Sequence, residues 1–168
     1  NGGDVEKGFK ECDYIFEDEY STPAIHHSAI ETHSVIAHYD YNDKLTVHTP
    51  CQNTFGFRII LSQIFGMSLN KVRVIRPAIG GSFGGKLELT IEPVAAALSK
   101  MTRRPVKMVL TRKESMISTR TRHGSFVKLK TGVNKDGEVI AQDIKIYTNT
   151  GAYASSALNV IGALSHKV

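Results

Sequence analysis

A run of glycines in the middle of the chain is its strongest indication of a binding site. Residues 80–86 have the sequence GGSFGGK, and this glycine run holds four of the chain's 14 glycines. Because glycine accepts positive φ and lets a ligand approach the backbone, such a run leaves amide N–H groups free to face one anionic or oxo-rich partner. The sequence therefore predicts a binding loop, and a tight turn without a ligand is the alternative.

The glycine run comes close to a phosphate-binding P-loop without completing it. Gly80 to Lys86 matches the G-x-x-x-x-G-K spacing, but the next residue is Leu87, which has no oxygen for Mg²⁺. No G-x-G-x-x-G fingerprint of a dinucleotide site can be placed in the run either. A nucleoside triphosphatase or a dinucleotide-binding fold is therefore disfavoured.

Gln52 is a second polar residue at a position suited to binding. It follows the predicted strand Lys44–His48 and stands at the start of a predicted helix. A carboxamide donates hydrogen bonds while it stays uncharged, which suits the orientation of a group whose redox state changes. An ordinary surface glutamine near a helix start is the alternative interpretation.

Other reactive side chains lack the partners that catalysis or metal binding requires. Five of the seven histidines lie between His26 and His48, but no H-E-x-x-H motif occurs among them. In a strand, His33 and His38 face opposite sides, so a protein-ligated zinc is disfavoured. Ser82 has no assignable base, and nothing in the sequence indicates that the Cys51 thiol is activated.

Length and composition predict a folded domain. The chain has 168 residues, of which 41% are hydrophobic, and no apolar run of about 18 residues that could span a membrane. It begins without Met or an apolar signal segment, and the apolar segment 160–164 stands close to its last residue, Val168. We therefore expect residues 1–168 to form a single domain or an excised fragment of a longer polypeptide.

The cysteine content favours a reducing compartment. Cys12 and Cys51 are too few for an Fe–S cluster or a structural zinc, so the cytoplasm is predicted, although a single disulfide stays possible.

The net charge of the chain is +5 and is unevenly distributed, with ten basic residues and one acid in residues 100–130 and seven acids in residues 4–19. The basic stretch contains one aromatic residue, so nucleic acid is a weak candidate, and a solvated face or a contact with the acidic segment is the simpler explanation.

The hydrophobic patterns predict an α+β fold with a mixed, largely antiparallel sheet and two main helices packed on one side. An Asp-Gly turn between the last two predicted strands indicates a β-hairpin. The predicted strands are Tyr14–Tyr20, Thr32–Tyr39, Lys44–His48, Lys71–Arg76, Pro105–Thr111, Ser125–Thr131 and Val139–Tyr147. The predicted main helices are one around Phe57 that stops at Gly66 and one over Thr90–Lys100, and a short helical piece is predicted at Arg112–Thr119.

Six motifs occur in one order along nearly the whole chain. They are Glu31-Thr32-His33, TPCQNT at 49–54, the glycine run, Arg104-Pro105-Val106, Arg122-His123 and TGAY at 150–153. Together they resemble the molybdenum-binding subunit of the xanthine dehydrogenase and aldehyde oxidase family, and specifically the N-terminal part of its molybdopterin-binding region. A non-catalytic α+β binding module, which would use the basic segment to hold a partner or nucleic acid, is the competing interpretation.

The resemblance implies an oxidoreductase that hydroxylates a purine, another N-heterocycle or an aldehyde with oxygen derived from water. Its cofactor would be a molybdenum pyranopterin, either molybdopterin or its dinucleotide form, which passes electrons to Fe–S clusters and FAD on other domains or subunits. On this resemblance Gln52, Gly81, Ser82, Phe83 and Gly84 bind the cofactor, and no protein side chain ligates the metal. The implied partners are the remainder of the molybdenum subunit, the Fe–S and FAD parts and a small-molecule substrate, with no membrane.

Two features distinguish this chain from the pattern that the resemblance implies. Purine-hydroxylating relatives place Glu directly after the loop lysine, whereas this chain has Leu87 there and Glu88 one residue later. Leu87 and Glu88 are therefore the substrate-side candidates, and purine specificity is in question. The family's catalytic base is a glutamate expected beyond Val168, so these 168 residues are expected to be inactive alone.

Overall fold

A computed structural model describes residues 2–154 and 156–165. Their contacts divide the chain into two compact units, of which unit 1 is drawn from Asn1–Ile25 and His123–Val168 and unit 2 is His26–Arg122. The α-helices are α1 (Val5–Lys10), α2 (Thr54–Phe65), α3 (Glu92–Thr102), α4 (Arg112–Ser118) and α5 (Ala157–Ser165). The strands are β1 (Tyr14–Thr22), β2 (Ile25–His26), β3 (Ser34–Tyr39), β4 (Leu45–His48), β5 (Val72–Ile75), β6 (Val106–Val109), β7 (Thr121–Arg122), β8 (Ser125–Val133) and β9 (Val139–Thr148).

Unit 2 is built on a four-stranded sheet in the order β5-β4-β3-β6. Strand β3 pairs antiparallel with β4 and β6, and β4 pairs parallel with β5. One face of this sheet packs against α2 and α3, and the buried cluster contains Val35, Ala37, Tyr39, Leu45, Val47, Leu61, Val72, Ile91, Ala95 and Ala96. This apolar layer holds α2 and α3 against the sheet, and the loops next to the starts of the two helices carry the candidate site.

Local sequence explains both ends of α2 and the start of α3. The Asn53 side chain accepts a hydrogen bond from the Gly56 N–H at 2.8 Å and caps the start of α2. Gly66 ends α2 in the left-handed conformation, at φ 61°, as the sequence predicts. Pro93 lies in the first turn of α3, which therefore begins at Glu92, two residues after the predicted start.

Unit 1 contains a three-stranded antiparallel sheet in the order β1-β8-β9. The predicted hairpin between β8 and β9 is confirmed, and Gly137 in its turn has φ 84°. Helix α1 was not predicted, because six residues are too few to show a helical period. Gly8 brings α1 close to β9, since a Cβ at this glycine would lie 3.0 Å from the Ala141 Cβ.

The predicted fold class is confirmed: the chain is α+β, its sheets are mostly antiparallel, and the two main helices lie on one side of the unit 2 sheet. The strands are distributed over three sheets, because β2 and β7 form a separate two-stranded ladder. Among the described residues, no helix has the length and apolar character needed to cross a membrane.

Candidate cofactor site

Gln52 and the glycine run are joined by two hydrogen bonds. The Gln52 N–H donates to the Lys86 carbonyl at 2.9 Å, and the Lys86 N–H donates to the Gln52 Oε1 at 3.4 Å. The side-chain oxygen is thus directed to the loop, which leaves the Nε2 group as the donor of the carboxamide. The two features that the sequence singles out therefore adjoin each other in unit 2.

The centre of the glycine run offers main-chain donors. Gly81 and Gly84 both have φ 97°, which favours glycine, and the Gly85 N–H closes a turn on the Ser82 carbonyl at 2.8 Å. Within the described chain, no hydrogen bond uses the N–H groups of residues 81–84. A loop with several open amides and no charged side chain at its centre fits an oxo-rich or anionic cofactor.

Phe83 stands at the tip of the run in a backbone conformation that is unusual for a bulky residue. Its φ is 51°, and its side chain is 62% exposed. The Arg122 Nη2 donates to the Phe83 carbonyl at 3.2 Å and helps to hold this conformation. Arg122 belongs to a motif that the sequence marks, but its contact with the loop was not predicted.

Lys86 does not extend toward a ligand, as the lysine of a P-loop would. Its side chain is 3% exposed, and its Nζ lies 2.6 Å from the Glu31 Oε2. A buried ammonium requires a counter-charge, and Glu31 provides it from the segment before β3. The charge of Lys86 is therefore neutralised inside the protein. This agrees with the sequence argument, which disfavours a P-loop.

Two histidines pack beneath the run. The His33 Nε2 donates to the Gly85 carbonyl at 3.1 Å, so its Nδ1 accepts from the Ser115 hydroxyl at 3.2 Å. The His27 ring lies so close that a Cβ on Gly85 would be 3.0 Å from its Nδ1, an atom without a hydrogen-bond partner in the described chain. Burial lowers the pKa of both imidazoles, and nearby Arg122 or Lys86 adds to the effect.

The space behind the run is too small for a cofactor. A cavity of about 10 Å³ is bounded by the two packed histidines, Glu31, Ser82 and Lys86. That volume corresponds to about one water molecule. Phe83, in contrast, is exposed at the tip of the run.

The substrate-side candidates follow the run directly. Leu87 is 43% exposed, whereas the Glu88 carboxylate forms an ion pair with Arg120 at 3.2 Å. The neighbouring loop residue Cys51 is fully buried, and burial raises the pKa of its thiol, with Glu92 adding to the rise. The Cys51 side chain is therefore not an activated nucleophile.

The remaining sequence candidates have simpler explanations. Both cysteines are free thiols. In residues 2–154 and 156–165, no cluster of three His, Cys, Asp or Glu side chains is arranged to hold a metal ion. Part of the basic stretch forms ion pairs with the acidic segment. The Lys128 Nζ lies 2.7 Å from the Glu19 Oε1, and the Lys130 Nζ lies 2.8 Å from the Glu17 Oε1.

A glycine run with open amides on an α+β scaffold is typical of a domain that binds a cofactor through its main chain. This chain belongs to the molybdopterin cofactor-binding domain family, whose family model matches residues 1–168. The resemblance drawn from the six motifs is thereby confirmed.

Similar proteins include molybdenum enzymes of several kinds. A probable xanthine dehydrogenase subunit of Bacillus subtilis is 40% identical over 155 residues, which are 92% of this chain and 21% of that protein. The nicotinate dehydrogenase large molybdopterin subunit of Eubacterium barkeri is 40% identical over 159 residues, 95% of this chain and 37% of that protein. The chain thus spans between about a fifth and somewhat over a third of these relatives.

Solved structures have the same fold. The aldehyde oxidoreductase of Desulfovibrio gigas superposes with a TM-score of 0.85 at 22% identity, over 96% of this chain and 18% of that one. The CO dehydrogenase of Oligotropha carboxidovorans superposes with a TM-score of 0.74 at 27% identity, over 84% of this chain and 18% of that one. The strands and helices described above therefore form the fold that these two solved structures have over the matched residues.

Proposed function

We propose that this chain forms part of the cofactor pocket of a molybdenum hydroxylase, an oxidoreductase of the xanthine dehydrogenase type. Gln52, Gly81, Ser82, Phe83 and Gly84 face a molybdenum pyranopterin. The observation that supports the proposal is the pair of hydrogen bonds between Gln52 and Lys86, which joins a residue with a neutral carboxamide to the end of a run that has four open amides. When bound, the cofactor supplies the oxidation of a substrate carbon with oxygen derived from water.

The protein's contribution is binding and orientation by uncharged donors. The amides of residues 81–84 and the Gln52 Nε2 donate hydrogen bonds without a change in their own charge. Because Glu31 neutralises Lys86, no ammonium faces the cofactor from the glycine run. Neutral donors suit a group that gains and loses electrons, since they stabilise electron-rich ligands in both redox states.

The substrate class follows from the residues after the run. The exposed Leu87 gives the substrate side an apolar surface, and the Glu88 carboxylate is engaged by Arg120. We therefore propose an aldehyde or an N-heterocycle that needs no carboxylate at this position, rather than a purine bound by one. The name of one relative, the nicotinate dehydrogenase large molybdopterin subunit, supports an N-heterocycle, and the name of another, a probable xanthine dehydrogenase subunit, keeps a purine among the substrates to be tested.

The remaining parts of the enzyme lie outside the residues that carry this site. We propose that the remainder of the molybdenum subunit supplies the catalytic base, and that Fe–S clusters and FAD on other domains or subunits accept the electrons. The two free thiols fit a reducing compartment, and we propose the cytoplasm as the location.

Replacement of Gln52 tests the proposal. In the complete enzyme, Gln52→Ala should lower kcat by about 100-fold, because one preorganised donor at the reacting centre is lost. Molybdenum content should stay close to that of the unchanged enzyme, since the main-chain donors are retained. Turnover is measured with a panel of aldehydes and N-heterocycles, and metal content by mass spectrometry.

Gln63→Ala is the matched control, because Gln63 is an exposed glutamine on α2. It should leave both turnover and molybdenum content unchanged. If Gln52→Ala turns over as fast as Gln63→Ala, Gln52 does not belong to the site.

A further inference from the structure

One carboxylate closes the base of the glycine run. The Glu31 Oε2 accepts from the Lys86 Nζ at 2.6 Å and from the Gly80 N–H at 2.9 Å. The Glu31 N–H in turn donates to the Gly80 carbonyl at 3.1 Å. The first and last residues of the run are therefore held by the same side chain.

Gly80 and Glu31 are packed too closely for a side chain at position 80. A Cβ on Gly80 would lie 2.7 Å from the Glu31 Cβ, so glycine is required there by close approach. The Lys86 side chain is 3% exposed, and without Glu31 its ammonium would be a buried charge without a partner. The Glu31–Lys86 pair is thus part of the loop's structure and differs from an exposed ion pair, which contributes little.

His33 is the third residue that holds the run. The buried His33 donates from Nε2 to the Gly85 carbonyl, and the Ser115 hydroxyl fixes its other nitrogen. The peptide between Gly85 and Lys86 is therefore held from both sides, by an imidazole on its carbonyl and by Gln52 on its amide. The His33 imidazole thus supports the Gly85–Lys86 peptide, to which Gln52 is hydrogen-bonded.

We propose that Glu31, Lys86 and His33 are positioning residues that hold the glycine run in its cofactor-facing shape before the cofactor binds. They act through the backbone, because all three contacts are made at the ends of the run and none at residues 81–84. The inference rests on the proposed function, since it names what preorganises that same site.

The test compares Glu31→Gln, Glu31→Asp and Lys86→Met in the complete protein that carries this chain. Hydrogen exchange is measured on peptides that cover residues 80–86, where the Gly85 and Lys86 amides are hydrogen-bonded. Molybdenum per protein is measured on the same samples. Glu31→Gln should speed exchange of these peptides by about tenfold and lower molybdenum content several-fold, because the buried ammonium loses its counter-charge.

The double variant Glu31→Gln with Lys86→Met provides a second readout. The double variant should recover part of the slow hydrogen exchange and of the molybdenum content that Glu31→Gln alone loses, because the unpaired charge is then absent. Asp43→Asn is the matched control, since it removes the exposed ion pair with Arg103 from the same unit. It should change neither exchange nor molybdenum content.

The outcomes separate the two proposals. If Glu31→Gln, Glu31→Asp and Lys86→Met all leave exchange of the run at the rate of Asp43→Asn, the positioning role is wrong. If the unchanged protein contains no molybdenum while exchange still responds to Glu31→Gln, the proposed function is wrong and the loop-closing role stands. Glu31→Asp keeps the charge and so remains informative if Glu31→Gln does not fold.

Discussion

At the scale of single residues, the charge of the lysine in the glycine run is neutralised within the protein. Lys86 is paired with Glu31, and the side chain that adjoins the run at Lys86 is the neutral carboxamide of Gln52. A P-loop has the opposite design, because its lysine reaches the phosphates directly. The burial of Lys86 and its pairing with Glu31 therefore distinguish this run from a P-loop of the same spacing.

We expect the buried His33 to make stability depend on pH. Burial, with Lys86 nearby, lowers its pKa below the ordinary 6.5, although the Gly85 contact and Glu92 oppose the shift and His26 adds slightly to it. The folded state therefore stays neutral while the unfolded state takes up a proton. The free energy of unfolding should fall as pH decreases below 6.5, by at most about 1.4 kcal/mol per pH unit for this group.

Urea unfolding of the 168-residue chain at pH 7.5, 6.5 and 5.5 checks this prediction. His33→Gln should make the pH dependence shallower without abolishing it, because burial also lowers the pKa of His27. His38→Gln, at an exposed position of β3, is the matched control. An equal slope for His33→Gln and the unchanged chain would contradict the account.

At the scale of elements, sequence periodicity succeeded where one face is buried. The alternation of His33, Val35, Ala37 and Tyr39 correctly predicts the inward face of β3 and of the residue before it, and all four are buried. The stop of α2 at Gly66 follows from local chemistry that tertiary contacts do not override. The two-residue strands β2 and β7 were missed, because they are too short to have a pattern.

Ser99 connects α3 to the sheet in a way that the sequence does not reveal. It is fully buried, accepts from the Tyr39 N–H at 2.8 Å and donates to the Arg104 carbonyl at 2.7 Å. Ser99→Ala should lower the free energy of unfolding by about 1–3 kcal/mol, because two main-chain groups lose their partner. Urea unfolding of the chain measures the change.

Ser118→Ala is the control for this prediction. The Ser118 hydroxyl donates only to the Glu114 carbonyl within its own helix, so its loss should change the free energy of unfolding by less than about 0.5 kcal/mol. Equal effects of the two substitutions would show that Ser99 does not link the elements.

At the scale of the whole molecule, the sequence predicts which motifs gather but not how they are supported. Order and spacing single out Gln52 and the glycine run, and the structure places them side by side. The Glu31–Lys86 contact joins residues 55 positions apart, and no local pattern encodes such a pairing. The division into two units was also not apparent, because unit 1 is assembled from both ends of the chain.

The charge distribution is likewise a property of the molecule and not of a segment. The basic stretch appears concentrated along the sequence, but Lys128 and Lys130 meet acids of β1 across the unit 1 sheet. Arg112 and Arg122 donate to main-chain carbonyls in unit 2. These contacts give the stretch a structural purpose and weaken the case for a nucleic-acid-binding module.

The most direct test of the central claim is anomalous scattering at the molybdenum edge from crystals of the complete enzyme. The account predicts a molybdenum peak beside the main chain of Phe83 and Gly84, with the Gln52 Nε2 about 3 Å from a ligand of the metal. A pterin-bound molybdenum that lies remote from both Gln52 and residues 81–84 would contradict it.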